Sequence, residues 1–153
     1  HDLDIVLSLV KSGVSQFHAV GFPILTHTSD VANARIEFEN GCTASLTASR
    51  VSEEKIRKTR IFQPGEVLSI DYLSQKLFLS KKAVSPGAEK VPEMVTEEIP
   101  VKKTDPLEAE IHAFLHCVRN RKDPQVSGAD GRRALMLALQ IIQKIDDLNR
   151  KRT

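Results

Sequence analysis

Two neighbouring segments, 31–38 and 42–49, alternate apolar and polar residues more regularly than any other part of the chain. The apolar sets are Ala32, Ala34, Ile36 and Phe38 in the first segment and Cys42, Ala44, Leu46 and Ala48 in the second. Successive side chains of a strand point to opposite faces, so each segment predicts a strand with one buried face. The short Glu39–Asn40–Gly41 segment between them predicts a hairpin.

The register of this hairpin follows from the two apolar sets. A two-residue Asn-Gly turn would pair Phe38 with Thr43 and place the apolar set of one strand beside the polar set of the other. A three-residue loop pairs Phe38 with Cys42, so that both apolar sets share a face. We therefore predict a type I turn followed by a left-handed Gly41 in a bulge. The other face is polar and mostly short, which suits solvent or a flat protein–protein contact: Asn33, Arg35, Glu37, Thr43, Ser45, Thr47 and Ser49.

The rest of the chain predicts one helix before the strands and two after them. The first helix covers 2–12 and is ended by Gly13, and a strand begins at Ser15 and leads into an irregular stretch near Leu25. Further strands are predicted at 59–63, 67–72, 76–80 and 94–101, with a loop at 83–93. This order predicts an α+β fold, with one open, largely antiparallel sheet and helices packed on one face.

The two closing helices are marked by their first turns and by apolar stripes. Asp105–Glu108 and Ser127–Asp130 are capping-box patterns that predict the helix starts. The predicted stripes are Leu107, Ile111, Phe114, Leu115 and Val118 in one helix, and Leu135, Ala138, Ile141, Ile142, Ile145 and Leu148 in the other.

Composition excludes several classes of partner. The 153 residues suffice for one domain, and 22 Lys and Arg against 20 Asp and Glu give a formal charge of +2. So small a charge argues against nucleic acid or an anionic membrane as a main partner. Cys42 and Cys117 suggest neither a disulfide framework nor a zinc site, so we expect a cytoplasmic protein. No apolar run reaches the ~20 residues of a membrane span, and no signal peptide opens the chain.

Three groups of residues are candidates for chemistry. His1 and Asp4 are three residues apart, so in a helix they share a face, and the carboxylate would suit a histidine acting as general acid or base. The alternative without a chemical role is a histidine near a helix N-terminus with an exposed aspartate nearby. A basic cluster serves either as a charged connector or as a clamp for phosphate or carboxylate: Arg50, Lys55, Arg57, Lys58 and Arg60.

The third group is His112 and His116, spaced i and i+4, with Glu108 one turn earlier. This spacing is compatible with zinc, but the group lies on the polar flank of its helix and no further ligand is evident. We therefore expect a solvated helix face and no metal. A G-x-G-x-x-G turn after a strand is also missing, so the chain itself offers no dinucleotide-binding turn.

Three stretches together resemble the C-terminal domain of the glucose–fructose oxidoreductase/inositol dehydrogenase (Gfo/Idh/MocA) family. The chain's start, His1-Asp2-Leu3-Asp4, looks like the family's H-x-x-D helix start. The hairpin from Ala32 to Gly41, followed by Thr47-Ala48-Ser49-Arg50, resembles the family's central hairpin. The closing helices resemble the family's helix pair through Ala113-Phe114-Leu115, Arg119-Asn120 and Ser127-Gly128-Ala129-Asp130-Gly131.

The resemblance implies a role for the whole chain. Residues 1–153 would form a substrate-binding and dimerisation domain with the glyceraldehyde-3-phosphate-dehydrogenase-like fold, taken from an NAD(P)-dependent oxidoreductase of sugars, polyols or nucleotide sugars. His1 matches the family's catalytic histidine and Asp4 its aspartate, while Arg50 is expected to contact an anionic substrate group. NAD or NADP would bind an N-terminal Rossmann domain that this chain lacks, so the fragment alone is expected to bind none and to be inactive.

Further expectations accompany this interpretation. The open sheet face is expected to form a homo-oligomer, most simply a dimer. The family's E-K-P lysine segment is absent ahead of His1, and we treat Glu89-Lys90-Val91-Pro92 as a coincidental likeness. The alternatives are a non-catalytic dimerisation or scaffold module, and an anion-binding module built on the Arg50–Arg60 cluster.

Overall fold

The computed structural model describes residues 1–83 and 93–151. The Glu89–Pro92 segment, most of the predicted loop at 83–93 and the terminal Arg152 therefore lie outside the described residues. The elements follow in the predicted order: α1 Asp2–Val10, β1 Val14–Phe22, β2 Val31–Phe38, β3 Thr43–Ser49, β4 Lys58–Gln63, β5 Glu66–Asp71, β6 Lys76–Lys82, β7 Met94–Ile99, α2 Pro106–Asn120 and α3 Gly128–Arg150.

The chain divides into two compact units, one formed by His1–Glu53 with His116–Thr153 and the other by Glu54–Leu115. The first unit holds a three-stranded sheet in the order β1-β2-β3, and the second holds a four-stranded sheet in the order β4-β5-β6-β7. Every described strand pairing is antiparallel. The α+β class and the open antiparallel architecture are confirmed, whereas the strands are shared between two sheets rather than one.

The hairpin has the predicted register. Ile36 lies opposite Ala44 and Ala34 opposite Leu46. The Phe38 N–H donates to the Cys42 carbonyl at 2.9 Å, which closes the three-residue loop. Gly41 has a φ of 82°, in the left-handed region that side chains disfavour.

The core of the first unit lies between its sheet and its two packed helices. Buried residues of the inner sheet face meet α1 and α3, and the set consists of Leu7, Ala19, Ile36, Phe38, Leu137, Ile141 and Ile145. At the end of β1 the approach is so close that a methyl group on Gly21 would lie 2.8 Å from the Ile145 side chain. Glycine at this position therefore allows α3 to pack directly against the strand.

The helix ends depart from prediction in one place. α1 stops at Val10, and Lys11 rather than Gly13 takes the left-handed conformation, with φ at 50°. The chain has already left the helix at Gly13, because the Gly13 carbonyl accepts the Glu39 N–H at 2.9 Å and so joins the end of β2.

Both closing helices begin where the capping patterns predict. Asp105 accepts the N–H groups of Leu107 and Glu108. Ser127 and Asp130 form a complete reciprocal capping box. The stripe predicted for α2 is nevertheless exposed, and in α3 Leu135 and Ile142 are exposed while Leu137 is buried.

In the second unit, the strands form a meander with short turns. Gly65 adopts a φ of 78° between β4 and β5. Asp71 accepts the N–H groups of Leu73 and Ser74 in the turn to β6. These bonds to Ser74 and Leu73, with Lys58 at 3.4 Å, hold the pKa of Asp71 below its usual range.

Candidate functional site

His1 stands at the start of α1. Its side chain is exposed and makes no capping hydrogen bond, while its carbonyl accepts the Ile5 N–H at 3.0 Å. Asp4 is half-buried on the same helix. No hydrogen bond or ion pair joins the two side chains in the described part of the chain, so here they share a helix without forming a pair.

Asp4 instead lines a cleft in the first unit, formed by α1, the first half of α3 and the segments that lead into β1 and α3. The cleft has a volume of about 730 Å³. Leu7 and Leu137 give it an apolar side, whereas Lys11 and Arg133 bring positive charge. The cleft is therefore amphipathic, and Asp4 is the part of the predicted site that faces it.

The positive charge at α3 is partly compensated. Arg133 lies 2.8 Å from the Asp130 carboxylate. The Ser127 hydroxyl donates to the same carboxylate at 2.6 Å, and together with the Ser127 N–H it keeps the pKa of Asp130 below its usual range. Asp130 therefore serves the helix start and the cleft edge at once.

Arg50 follows β3 and lies beside Asp30, which precedes β2. The Arg50 N–H donates to the Asp30 carbonyl at 3.0 Å. The Arg50 Nε atom lies 3.7 Å from Asp30 Oδ1. The hairpin register produces this neighbourhood, because Val31 and Ser49 are paired and the next residue outward on each strand is Asp30 or Arg50.

The sequence did not lead us to predict a role for Asp30. In the described chain its carboxylate is nevertheless buried, as no other charged group is. Its Oδ2 atom accepts the N–H groups of Ile24, Leu25 and Thr26 at 2.7–2.9 Å. These bonds, of which the one from Thr26 contributes most, lower the pKa of Asp30 far below its usual range. The signal in the sequence is the set of short hydroxyl residues Thr26, Thr28 and Ser29, which leads to an aspartate before a strand, a pattern typical of Asx-type loops.

The other basic residues of the predicted cluster belong to the second unit. Lys58 is paired with Asp71 at 3.4 Å. Lys55, Arg57 and Arg60 lie on or before β4 in that unit.

The two helical histidines have separate neighbours. His112 Nε2 lies 3.7 Å from Glu108, and His116 Nδ1 lies 3.2 Å from the Asn120 side-chain nitrogen. Among residues 1–83 and 93–151, no group of three His, Cys, Asp or Glu side chains is arranged to hold a metal ion. In the same ranges, none of the helices has the length and apolar character that a membrane crossing requires.

A nicotinamide dinucleotide does not fit the residues described. Dinucleotide-binding folds place the pyrophosphate at a Gly-rich turn between a parallel strand and a helix. The described strand pairings are antiparallel, and no such turn joins a strand to a helix within the described ranges.

Comparison with known proteins finds no match to a family model. Among curated proteins, the UDP-N-acetylglucosamine 3-dehydrogenase of Acidithiobacillus ferrooxidans is 35% identical over 143 residues, which are 92% of this chain and 45% of that protein. A solved structure of that dehydrogenase superposes with a TM-score of 0.87 at 33% identity, over 96% of this chain and 47% of that one. The chain thus spans slightly under half the length of the relatives it matches.

More distant structures share the fold. A levoglucosan dehydrogenase in complex with NADH superposes with a TM-score of 0.75 at 17% identity, over 95% of this chain and 46% of that one. The aldose-aldose oxidoreductase of Caulobacter crescentus gives a TM-score of 0.73 at 17% identity, over 95% of this chain and 43% of that one. These findings confirm the resemblance drawn from the sequence: the chain is related to the Gfo/Idh/MocA family of oxidoreductases and has the fold of that family's C-terminal domain.

Proposed function

We propose that the chain is the substrate-side domain of an NAD(P)-dependent oxidoreductase that acts on a hydroxyl of a sugar, a polyol or a nucleotide sugar. The observation that carries the proposal is the 35% identity to a UDP-N-acetylglucosamine 3-dehydrogenase over 92% of this chain. Within the proposed range, a nucleotide-linked amino sugar is the substrate to test first.

His1 is proposed to accept the proton of the substrate hydroxyl, directly or through a relay. Its exposed imidazole makes no hydrogen bond in the described chain, which leaves both ring nitrogens available for substrate. Asp4, which lines the cleft, is proposed to have an orienting or structural role in the site. Arg50 is proposed to contact an anionic group of the substrate.

The nicotinamide cofactor is proposed to bind another domain of the full-length protein, since the matched relatives are more than twice as long as this chain. The chemistry that the cofactor supplies when bound is the acceptance or donation of hydride. The chain alone is expected to bind neither NAD(H) nor NADP(H), and tight binding measured by calorimetry would contradict this expectation. Cytoplasmic location is proposed because both cysteines are free thiols.

Homo-oligomerisation is proposed through the outer face of the β1-β2-β3 sheet. This face is exposed and mostly short-chained around Asn33, Ser45 and Thr47. Sheet faces of this kind pack flat against one another. Neither a nucleic acid nor a membrane is proposed as a partner.

A non-catalytic dimerisation or scaffold module is the second candidate, favoured by the absence of a hydrogen bond or ion pair between His1 and Asp4 in the described chain. The gene separates the two candidates. A Gly-rich βαβ unit and an E-K-P segment ahead of His1 would support the enzyme, and a gene that starts at His1 would support the scaffold.

Activity of the full-length protein tests the proposed function. With UDP-N-acetylglucosamine and NAD⁺ or NADP⁺, we expect reduced nicotinamide to form, as measured by absorbance. The His1→Asn variant should lose about 10²–10⁴-fold in kcat, because that is the usual contribution of a positioned general base. His112→Asn, which alters an exposed histidine on α2, is the matched control. Full activity of His1→Asn would remove the proton-accepting role, and no turnover with any sugar or sugar nucleotide would favour the scaffold.

A further inference from the structure

Asp30 organises the loop between β1 and β2 from its buried end. Its side chain has no exposed surface. Oδ2 accepts three successive backbone N–H groups, from Ile24, Leu25 and Thr26. Oδ1 accepts the Thr26 hydroxyl at 2.8 Å. Four donors thus occupy most of the acceptor positions of one carboxylate.

Arg50 lies next to this carboxylate without being clamped by it. The Nε atom is 3.7 Å from Asp30 Oδ1, a distance of charge attraction rather than of hydrogen bonding. The Arg50 side chain is 62% exposed. It donates no hydrogen bond in the described part of the chain, so the five N–H donors of its guanidinium remain open to an external acceptor.

The backbone fixes where this guanidinium starts. The Arg50 N–H is bound to the Asp30 carbonyl at 3.0 Å, which extends the β2–β3 ladder by one step. The two residues that follow Arg50 are also held, because the Val51 N–H and the Ser52 hydroxyl both donate to the Ser49 hydroxyl oxygen. The chain is thus held on both sides of Arg50, while the side chain itself is guided by charge alone.

We propose that Asp30 is a positioning residue for Arg50, and that Arg50 receives the diphosphate group of a nucleotide-sugar substrate. The inference rests on the proposed function and names the part of the substrate that this corner of the sheet recognises. A guanidinium presents paired donors that match phosphate oxygens, which an ammonium group does not. Asp30 acts through Arg50 and does not itself touch the ligand, since its oxygens are occupied by the loop.

The opposing possibility is an ion pair that only stabilises the loop. The two differ in what Asp30 does once Arg50 is gone. A positioning residue has no further effect on ligand binding in the absence of the group it positions, whereas independent contributions add in a double-mutant cycle.

Binding of UDP, measured by calorimetry on the full-length protein, is the first test. Arg50→Ala should weaken UDP binding about 10–100-fold, the usual effect of losing charge-assisted hydrogen bonds. Asp30→Asn should weaken it about 3–10-fold, because the guanidinium is retained but no longer guided. The Asp30→Asn/Arg50→Ala double variant should bind no more weakly than Arg50→Ala. Arg132→Ala, an exposed arginine of α3 in the same unit, is the control and should bind UDP as the wild type does.

Two further variants test the geometry. Arg50→Lys keeps the charge but removes the paired donors, and should resemble Arg50→Ala. If Asp30→Asn does not fold, as judged by circular dichroism, Asp30→Glu replaces it in the same cycle, because it keeps the charge and displaces the carboxylate by one methylene. Wild-type UDP binding by Arg50→Lys, or by the Asp30 variant, would overturn the inference, and so would additive losses in the double variant.

Kinetics with UDP-N-acetylglucosamine separate this inference from the proposed function. We expect the Asp30 and Arg50 variants to raise KM with kcat largely retained, since the group they bind is remote from the reacting hydroxyl. Turnover with no effect of either variant would overturn the inference and leave the function intact. If UDP binding depends on Asp30 but no turnover is found, the inference about Asp30 and Arg50 stands and the proposed function fails. A wild-type protein that does not bind UDP would overturn the inference.

Discussion

At the scale of the residue, Asp30 makes the stability of the first unit sensitive to acid. Hydrogen bonds from the loop backbone hold its folded-state pKa below the ordinary value of about 4 that it has in an unfolded chain. A carboxylate whose pKa is lowered by folding stabilises the native state above its ordinary pKa. That stabilisation is lost as the pH falls below about 4 toward the folded-state pKa.

The Asp30→Asn variant tests this dependence. The amide cannot ionise, so we expect the variant to be less stable than the wild type at pH 7 and the difference to narrow as the pH falls below about 4. Urea unfolding at pH 7, 4 and 3, followed by circular dichroism, measures it. Asp71 and Asp130 also have lowered pKa values and remain in both proteins, so they cancel in the comparison. A gap that stays constant over this pH range would contradict the role of Asp30.

Single residues were only partly predictable. Arg50 was chosen from a cluster and a resemblance, whereas its partner Asp30 lies 20 positions away and becomes its neighbour only through the hairpin register. His1 and Asp4 were placed on one helix face by their spacing, but spacing does not report which side chain a neighbouring helix will attract. Asp4 lines the cleft beside α3, a contact that depends on tertiary packing.

At the scale of the element, the hairpin loop and α3 each contain a glycine, one with a left-handed backbone and the other with a helical backbone. Gly41 has a φ of 82°, whereas Gly131 lies within α3, and a methyl group added at either position meets no atom within 4 Å. Any difference between substitutions at the two sites therefore reflects the backbone and not packing.

We expect Gly41→Ala to lower the free energy of unfolding by about 1 kcal/mol, because alanine disfavours the left-handed region. Gly131→Ala should raise it by about 0.5–1 kcal/mol, because alanine favours the helix and restricts the unfolded chain. Chemical denaturation of the two variants measures both. A Gly41→Ala variant at least as stable as the wild type would contradict the left-handed conformation of Gly41, whereas a destabilised Gly131→Ala would contradict the prediction for the helix alone.

In the helices, the sequence predicted the first residues better than it predicted the buried face. The capping boxes located the starts of α2 and α3, because they are local and act through the first turn. The apolar stripes were less informative, since a stripe is wider than the arc that packing covers. Leu137 was missed and Ile142 wrongly included because burial depends on where α3 meets α1 and β1.

At the scale of the whole molecule, the outer face of the first sheet carries the proposed oligomer contact. Ser45 is exposed at the middle of β3 and takes part in no side-chain hydrogen bond in the described chain. Ser45→Arg should therefore weaken self-association of the full-length protein without unfolding it, because a long charged side chain holds two flat faces apart.

Sedimentation velocity measures the outcome, with circular dichroism to confirm folding. Ser74→Arg, in the exposed turn between β5 and β6 of the second unit, introduces the same side chain at a residue that is not part of this face and should leave self-association unchanged. A wild-type protein that sediments as a monomer, or equal loss of association in both variants, would contradict the proposed contact.

The class of the fold was predictable, and the grouping of its strands was not. The order of one helix, a run of strands and two helices already indicated α+β. Each of these elements can be predicted from the spacing of apolar residues within its own segment. Whether β3 and β4 belong to one sheet depends on pairing between residues that no local pattern links. The irregular residues 50–57 separate them, and the strands form two sheets.

The shortness of the side chains on that outer face carries a consequence for symmetry. In a contact between identical faces related by a two-fold axis, every substitution is made twice, so a methylene added at one position adds two to the interface. The exposed part of this face around Asn33, Ser45 and Thr47 would tolerate exchange among short polar residues and little else. Two diverged copies of such a chain, one with an enlarged and the other with a reduced side chain at facing positions, would fit each other better than themselves and would pair as a heterodimer.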